Sequence, residues 1–454
     1  MTCTRFVILT VALGVTNESI LPAAPPILSS RTAERIASWF IAHPPLEIVT
    51  AVTRLSDNDF TVREEAQRFL EARGARFQPY LISLRKRATD FEARRRLDDV
   101  IRKVSWNDIA VARTLTLTVE NITAPEALRI IADKAGYRLR IDPLGDEVER
   151  QKRYDFRFPS LTFWEAIDRV CDASGLFVQP EDDGTLRVSF QDGYNPVVAY
   201  EGPFRIVANQ IYSGRYLQLG GLSRRTLPQR NVESLSINLG VMSEPKTPIV
   251  GIRGCVVSQL IDQTGKEIAP HHTGEERASQ YHGVAAYRSY AQNVNLNIQR
   301  PATDSTSLKR VSGTVSLLVL AETKPDVVVP DVLQAKGKKF KGRGGQIDVT
   351  DVIATKGLAP QLVLTITPAT AGGQIDYAWI NSIGQRLEAT DLKQRPYTVQ
   401  LNSTNYQSDG SAQITVMLIT PDGSQPGPPF TLTLTEWVTK SMDVEFSFKD
   451  IPLP

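Results

Sequence analysis

The chain has 454 residues, of which 41% are hydrophobic and 22% are charged. These values are close to the usage of ordinary globular proteins, and they exclude a disordered, collagen-like or coiled-coil chain. The length is too great for a single hydrophobic core and predicts about three or four domains. Lys and Arg number 52 against 50 for Asp and Glu, a net charge of +2. Dedicated nucleic-acid binders need a strong basic excess, so no nucleic-acid partner is expected.

The N-terminus has the pattern of a secretory signal peptide. Arg5 precedes an apolar run from Phe6 to Val15 that is interrupted by one clearly polar residue, Thr10. As a helix this run rises about 15 Å, half of the hydrocarbon thickness of a bilayer, so it is too short to span a membrane. We therefore predict a signal peptide over residues 1–24 and a periplasmic or secreted protein without a transmembrane span in the mature chain. The alternative is a buried N-terminal strand.

Residues 31–106 are predicted to form a small helical domain. Apolar residues recur at helical spacing from Val62 onward, and Gly74 is a predicted helix stop. Two further helices are predicted, from about Gln78 and from Thr89, where Glu92 occupies the capping-box position. Residues 56–104 resemble a HEAT-like helical pair in their V-R-x-x-A opening and their later E-x-R-R-R-L.

An internal repeat organises residues 108–192. Thr123 and Glu126 form a capping-box pattern at the start of a predicted helix that ends at Gly136, and the same residue types recur at positions 162, 165 and 175. An alternating strand precedes each helix and a short strand follows it. The segment therefore predicts two β-α-β units in tandem, closed by a strand near Thr185 to Phe190.

This segment resembles the short N-terminal domain of secretins and TonB-dependent receptors, a β-α-β module of exported envelope proteins. The resemblance is carried by LTLTVENITAPEALRIIADKAGYRLRI and by FRFPSLTFWEAIDRVCDASGLFVQPEDDGTLRVSF. In that family the module is a binding and docking element, so the resemblance implies contact with another protein or a small ligand and implies no reaction. The whole chain resembles exported multidomain proteins of bacteria.

Alternating apolar and polar residues dominate from about residue 194 and predict two β-sandwich-like domains, 194–324 and 347–454. The Lys- and Gly-rich stretch between them, 325–346, is predicted to be a basic linker or loop. In the second domain, 377–380 is a predicted strand, and 432–434 and 444–448 are two separate ones. LIDQTGKEIAP and WINSIGQRLEA share a pattern that predicts equivalent turns at Gly265 and Gly384. The predicted fold class is multidomain α+β: an N-terminal helical domain, a βαβ-βαβ repeat module and two β-sandwich-like domains.

Two groups of residues are candidates for ligand binding. His271, His272 and His282, with two glutamates between them, offer the ligand types of zinc and iron sites, although their spacing fits no HExxH motif and a solvated loop is the simpler interpretation. A compact basic run could attract an anionic glycan or surface, or could be a solvated loop. Its members are Lys336, Lys338, Lys339, Lys341 and Arg343.

The cysteines add no signal for redox or zinc chemistry because Cys171 and Cys255 belong to no CxxC pair. Burial as single thiols is favoured for them, and a disulfide between them is the alternative. The motifs GxSxG, GxxxxGK[ST] and helix-opening GxGxxG are absent from the sequence, so no catalytic residue and no cofactor is predicted.

These patterns predict an exported, non-catalytic scaffold or adaptor of the cell envelope that acts through protein–protein interaction with an envelope or secreted partner. One alternative is a metal-dependent hydrolase or metal-binding protein that uses the His271 to His282 loop. Another is a glycan- or envelope-surface-binding protein that uses the basic run.

Overall fold

The structure, a computed structural model, describes residues 45–143, 152–190, 196–218, 230–268, 287–299, 305–355, 357–369, 377–421 and 426–454. The fold is mixed α+β, with most of the helices in the N-terminal part and several large antiparallel sheets after them. The chain divides into two compact units, Met1–Arg102 and Lys103–Pro454. None of the described helices is long and apolar enough to cross a membrane.

The N-terminal unit is built from helices packed through aliphatic side chains. The helices are α1 (Leu46–Arg54), α2 (Phe60–Arg87) and α3 (Phe91–Ala110). Ile48, Leu55, Leu70, Leu81 and Leu97 are almost fully buried and form the core. Ion pairs join the helices at the surface, where Arg73 Nη1 lies 2.7 Å from Glu47 Oε2 and Arg96 Nη1 lies 2.8 Å from Glu64 Oε1.

Two helix boundaries differ from the sequence prediction. Helix α2 continues through Gly74, where we predicted a stop, because a glycine inside a helix costs only about 1 kcal/mol and packing outweighs it. Helix α3 begins at Phe91, since Asp90 Oδ1 accepts from the Ala93 amide at 2.7 Å and takes the capping role predicted for Thr89.

The α/β module follows the predicted order of elements. In chain order these are β1 (Thr114–Thr123), α4 (Ala124–Ala135), β2 (Leu139–Ile141), β3 (Arg153–Thr162), α5 (Phe163–Ser174), β4 (Leu176–Pro180) and β5 (Leu186–Phe190). Strands β1 and β3 pair antiparallel as one sheet, and β2, β5 and β4 form another, in which β2 and β5 are parallel. Both helices and both sheets share one core, which includes Phe163 and Trp164.

The capping chemistry predicted for the repeat is confirmed. Glu126 Oε2 accepts from the Thr123 amide at 2.8 Å and the Glu126 amide donates to the Thr123 hydroxyl at 3.4 Å. Thr162 and Glu165 form the same box at α5. Helix α4 ends at Gly136 with φ of 78° and α5 at the equivalent glycine with φ of 69°. These glycines suit left-handed helix ends because an L side chain there is strained.

The first half of the β region contains a four-stranded antiparallel sheet of order β10-β8-β7-β6. Its core is shared with β9 (Ile249–Asp262), the first half of β11 (Ser307–Val329) and the last half of β18 (Pro429–Pro452). The strands of this part are β6 (Val197–Glu201), β7 (Phe204–Gln218), β8 (Arg230–Ser243), β9 (Ile249–Asp262), β10 (Ala291–Gln299) and β11 (Ser307–Val329). We call these elements around this core the first lobe.

The second lobe surrounds a separate core that includes the last half of β11 and the first half of β18. Its strands belong to a nine-stranded sheet of order β12-β13-β14-β17-β16-β15-β18-β11-β9. The elements are a 3-10 turn (Val332–Gln334), β12 (Lys339–Lys341), β13 (Gly345–Ile353), β14 (Gln361–Pro368), α6 (Tyr377–Asn381), α7 (Ile383–Arg386), β15 (Leu387–Asp391), β16 (Pro396–Tyr406), β17 (Ala412–Ile419) and β18 (Pro429–Pro452).

The two lobes repeat one strand order. The order β6-β7-β8-β10 of the first lobe corresponds to the order β12-β13-β14-β17 of the second. In the same way, β9 pairs with the long strand β11, and β15 pairs with the long strand β18. Each long strand begins in its own lobe and crosses into the core of the other. The lobes are therefore joined by a reciprocal exchange of strand halves along the β11–β18 ladder.

The backbone conformation at equivalent positions of the two lobes is also the same. The N–H groups of Asp262 and Asp391, which end β9 and β15, each donate at 3.0 Å to the carbonyl four residues on. The residue third after each aspartate is left-handed, with φ of 89° at Gly265 and 62° at Gln394. The turn equivalent to that of Gly265 is thus at Gln394.

A second matched pair of residues lies close to the C-terminal ends of the long strands. Asp331 and Asp450 have φ of 46° and 52°, and each is followed by a buried aliphatic residue, Val332 or Ile451. Positive φ is uncommon for residues other than glycine and is best tolerated by Asp and Asn. The same unusual conformation therefore occurs two residues after the last residue of β11 and two residues before the last residue of β18.

Several predicted elements of the β region differ from the structure. Residues 377–380, predicted as a strand, lie in α6, and Gly384 lies in α7 and not in a turn. The segments 432–434 and 444–448 are parts of one strand, β18. Strand β11 runs through the predicted boundary at 324/325, because the ladder is irregular between Pro325 and Val327 and accommodates the proline there. The predicted linker 325–346 contains the end of β11, the 3-10 turn and β12.

Asp391 gives the second lobe a measurable acid sensitivity. Its buried carboxylate accepts from the Arg395 amide at 2.8 Å, the Gly427 amide at 2.8 Å and Arg395 Nε at 2.7 Å. Burial alone would raise the pKa of Asp391, but these hydrogen bonds outweigh burial and lower the pKa from 3.8 to about 2. A carboxylate whose pKa is lower in the folded than in the unfolded protein stabilises the fold at pH values above its unfolded pKa.

We therefore expect this stabilisation to disappear as the pH falls from about 4 to about 2. Asp391→Asn should lower the thermal unfolding midpoint at neutral pH and flatten its acid dependence, measured from pH 2 to 6. Asp182→Asn, at an exposed turn, is the control and should keep the wild-type slope. An unchanged slope in Asp391→Asn would contradict this assignment.

Candidate functional site

Three backbone segments meet where the α/β module adjoins the first lobe, and we call them the joint. They are the chain leaving α3 (109–113), the β6–β7 turn (202–203) and the β8–β9 connection (244–247). Gly202 has φ of 53°, and a Cβ there would lie 3.3 Å from the Ala110 carbonyl oxygen, so a glycine permits this close approach. The Pro203 carbonyl accepts from Trp164 Nε1 at 3.2 Å and from the Glu244 amide at 2.9 Å.

A buried ion pair links helix α5 of the module to strand β7. Asp168 Oδ2 accepts from Arg205 Nε at 2.7 Å and from the Tyr200 hydroxyl at 2.6 Å. The two charged residues are 7% and 3% exposed, so the pair is shielded from water. A buried charge is stable only while its partner is present, and this pair therefore ties the module to the lobe in one orientation.

Glu244 also links the α/β module to the first lobe. It is fully buried, and its carboxylate accepts from the Arg113 amide at 2.9 Å and from the Tyr137 hydroxyl at 2.5 Å. The neighbouring Lys246 Nζ lies 3.8 Å from Glu244 Oε2 and donates to the Val111 carbonyl. The Thr247 hydroxyl donates to the Ile109 carbonyl at 2.7 Å.

The electrostatics of the joint are dominated by burial. Burial raises the pKa of Glu244, although the Tyr137 hydroxyl and the charge of Lys246 oppose the shift. Burial also lowers the pKa of Lys246, and it raises the pKa of Asp172, next to the ion pair. Such shifts are frequent at functional sites. Here both carboxylates, Asp168 and Glu244, are bonded to groups of the chain itself, so their evident role is to hold segments together.

The joint was not predicted from the sequence, although one signal was present. Asp168 lies on the same helical face as Trp164, Ile167 and Cys171, and a charged residue among apolar positions requires a buried partner. Its equivalent in the first copy of the repeat, Arg129, is exposed. The partner Arg205 is thirty-seven residues away and cannot be identified by spacing.

The predicted metal ligands His271, His272 and His282 lie outside the described residues. In the described part of the chain, no group of three or more His, Cys, Asp or Glu side chains is placed to hold a metal ion. Cys171 is buried on α5, Cys255 is half-buried on β9, and each is a free thiol. Burial raises the pKa of Cys255 to about 12.

The predicted basic run extends from the segment between the 3-10 turn and β12, through β12, to the following loop, and all five of its residues are exposed. Lys336 Nζ lies 2.5 Å from Asp351 Oδ1 and Lys339 Nζ lies 2.7 Å from Asp348 Oδ2, so two of the five charges are paired. Strand β12 is an edge of the nine-stranded sheet, where lysines are common because they discourage edge-to-edge association.

The loop after β12 is held against β11. Asp326 Oδ1 accepts from the amides of Arg343 and Gly344 at 2.7 and 3.0 Å. A Cβ on Gly342 would lie 2.5 Å from the same oxygen, so this approach requires a glycine. The basic run is therefore presented on an ordered edge.

In comparisons with known proteins, no family model, no curated protein and no solved structure matches the chain.

Proposed function

We propose that the chain is an exported, non-catalytic scaffold or adaptor of the cell envelope, with residues 108–192 as its partner-binding module. The joint is the observation that carries the proposal. The Asp168–Arg205 pair and the bonds of Glu244 fix the module against the first lobe through buried polar contacts. A scaffold needs a binding surface in a constant orientation, and buried contacts of this kind supply it.

In this proposal the two lobes are β-sandwich-like domains that serve as a stiff spacer. Their repeated strand order and separate cores support that interpretation. The strands β11 and β18 contain 23 and 24 residues, which correspond to a ladder of roughly 75 Å. Because this ladder crosses both cores, bending between the lobes would break its hydrogen bonds.

The β1–β3 sheet is the surface on which the proposal places a protein partner. Its inner face is buried through Leu117 and Phe156, while Thr118 and Arg157 are neighbours on the exposed face. Within the described residues no third strand pairs with either edge of this sheet. An extended segment of a partner could add to such an edge through backbone hydrogen bonds.

Export to the envelope rests on the apolar run from Phe6 to Val15, which lies outside the described residues. The resemblance of residues 108–192 to an envelope docking module supports the same compartment. The partner is then expected to be another envelope or secreted protein.

Site-specific photo-cross-linking in source-cell envelopes tests this function. A photoreactive amino acid replaces Thr118 or Arg157 in the full chain, and the matched control is the exposed Gln400 on β16. Both module positions should yield an adduct with the same defined protein, found in the envelope fraction, and the control should yield none.

Two outcomes would overturn the proposal. Recovery of the chain in the cytosolic fraction would show that the protein is not exported. The absence of adducts at both module positions would contradict a binding role of the β1–β3 sheet, provided that a thermal unfolding transition shows the chain to be folded.

A further inference from the structure

The outer face of the four-stranded sheet in the first lobe carries uncharged polar side chains. On β8, Leu235, Ile237 and Leu239 point into the core, so the residues between them point outward. We call six outward residues, all exposed or half-buried, the amide face: Asn209 and Tyr212 of β7, Asn238 of β8, and Asn293, Asn295 and Asn297 of β10. Among the described outward side chains of this stretch none is charged.

The amides of this face form a connected array across three strands. Asn238 Nδ2 donates to Asn295 Oδ1 at 2.8 Å, and Asn209 Nδ2 donates to Asn293 Oδ1 at 3.4 Å. A Cβ on Gly240 would lie 2.5 Å from Asn209 Nδ2, so the glycine leaves the space that this amide fills. These contacts orient the amides. A side-chain amide has two N–H donors and two acceptor lone pairs, so one such contact does not exhaust its hydrogen-bonding capacity.

Sheet formation does not explain why asparagines occupy these positions. Asparagine is depleted in strands because its side chain competes for backbone hydrogen bonds, whereas threonine and valine are enriched. The corresponding strands of the second lobe follow that preference, with Val363 and Thr365 on β14 and Thr415 on β17 between the buried positions. A local departure from strand preference that a related sheet avoids is characteristic of a functional surface.

The chemistry of the amide face matches a neutral, polyhydroxylated ligand. A charged ligand requires complementary charge, which these side chains do not offer. A sugar hydroxyl both donates and accepts, and an amide supplies both complements. Tyr212 is 55% exposed and adds an amphipathic ring. The face measures about 13 Å along β10 and about 10 Å across three strands, and it is open, so it suits an extended polymer better than a small molecule that needs a concave pocket.

We propose that the amide face binds a neutral polysaccharide, with its asparagine amides bonded to sugar hydroxyls and the ring of Tyr212 packed against the carbon face of a sugar. The site is separate from the basic run, whose charge suits an anionic ligand. It also lies on a sheet other than β1–β3, so this inference and the proposed protein-binding function can fail independently.

Biolayer interferometry with the immobilised full chain tests the binding. The soluble probes are dextran, galactomannan and arabinoxylan, which are neutral, and polygalacturonate, which is anionic. At least one neutral probe should bind, and its affinity should be the same at low and at physiological salt, because a neutral ligand has no charge for the salt to screen. Failure of all three neutral probes to bind would overturn the inference. Binding of polygalacturonate alone, weakened by salt, would also overturn it and assign glycan binding to the basic run.

A double variant, Asn295→Thr with Asn297→Thr, removes two amides and keeps residues that strands prefer. It should weaken binding of the neutral probe about tenfold, as expected for two lost hydrogen bonds, and its thermal midpoint should equal or exceed that of the parent. Gln413→Thr is the matched control, since it removes an amide from β17, the strand equivalent to β10, and should leave binding unchanged. Equal affinity of the double variant and the parent would contradict the assignment to this face.

Discussion

Replacement of Asp168 by alanine is expected to lower the free energy of unfolding by about 3–5 kcal/mol, the range found when one partner of a buried ion pair is removed. The variant leaves the Arg205 guanidinium 3% exposed without its carboxylate, and the Tyr200 hydroxyl loses an acceptor. Chemical denaturation followed by tryptophan fluorescence, to which the buried Trp164 one helical turn from Asp168 contributes, measures the change.

The double variant Asp168→Leu, Arg205→Met is the informative control. Buried pairs replaced by apolar residues of similar size often lose little stability, so the double variant should recover most of what the alanine variant loses. Equal losses in both variants would show that the lost hydrogen bonds and packing of the pair, and not the buried charge of Arg205, dominate. An alanine variant within about 1 kcal/mol of the parent would contradict the burial of the pair.

Replacement of Gly313 by alanine is expected to destabilise the region where β11 lies between β9 and β18. A Cβ at this position would lie 2.4 Å from the Val256 carbonyl oxygen and 2.6 Å from Phe446 Cζ. The carbonyl belongs to the neighbouring strand and cannot retreat without disturbing the ladder. We expect a loss of about 3 kcal/mol, the upper part of the range for overpacked cores.

Gly254→Ala on β9 is the matched control. It lies in the same sheet, opposite Ser316 of β11, and a Cβ there meets no atom within 4 Å. Its thermal midpoint should stay within a few degrees of the parent, because surface substitutions without a clash usually change stability by about 0.5 kcal/mol or less. Similar midpoints for the two alanine variants would contradict the close approach at Gly313.

Local chemistry allowed the sequence to predict many elements. The capping boxes at Thr123 and Thr162 and the left-handed ends at Gly136 and Gly175 depend on residues within one or two helical turns, so spacing is sufficient to identify them. Strand alternation likewise located β14 and β17, whose buried positions recur every second residue. These features require no knowledge of distant partners.

Other elements depended on tertiary contacts. Residues 377–381 are helical although their composition favours a strand, and β18 continues past Trp437 because β11 pairs with it along its length. The left-handed turn at Gln394 has no glycine to announce it, so the correspondence with Gly265 is visible only in the strand order.

The sequence by itself determined where helices and strands form in the α/β module, because short-range hydrogen bonds and side-chain periodicity decide those choices. Only the tertiary structure decided which surfaces meet. Asp168 and Arg205 are thirty-seven residues apart, Tyr137 and Glu244 are 107 apart, and neither pair leaves a periodic signal. Burial makes these contacts strong, and burial is a property of the assembled fold and not of the local sequence.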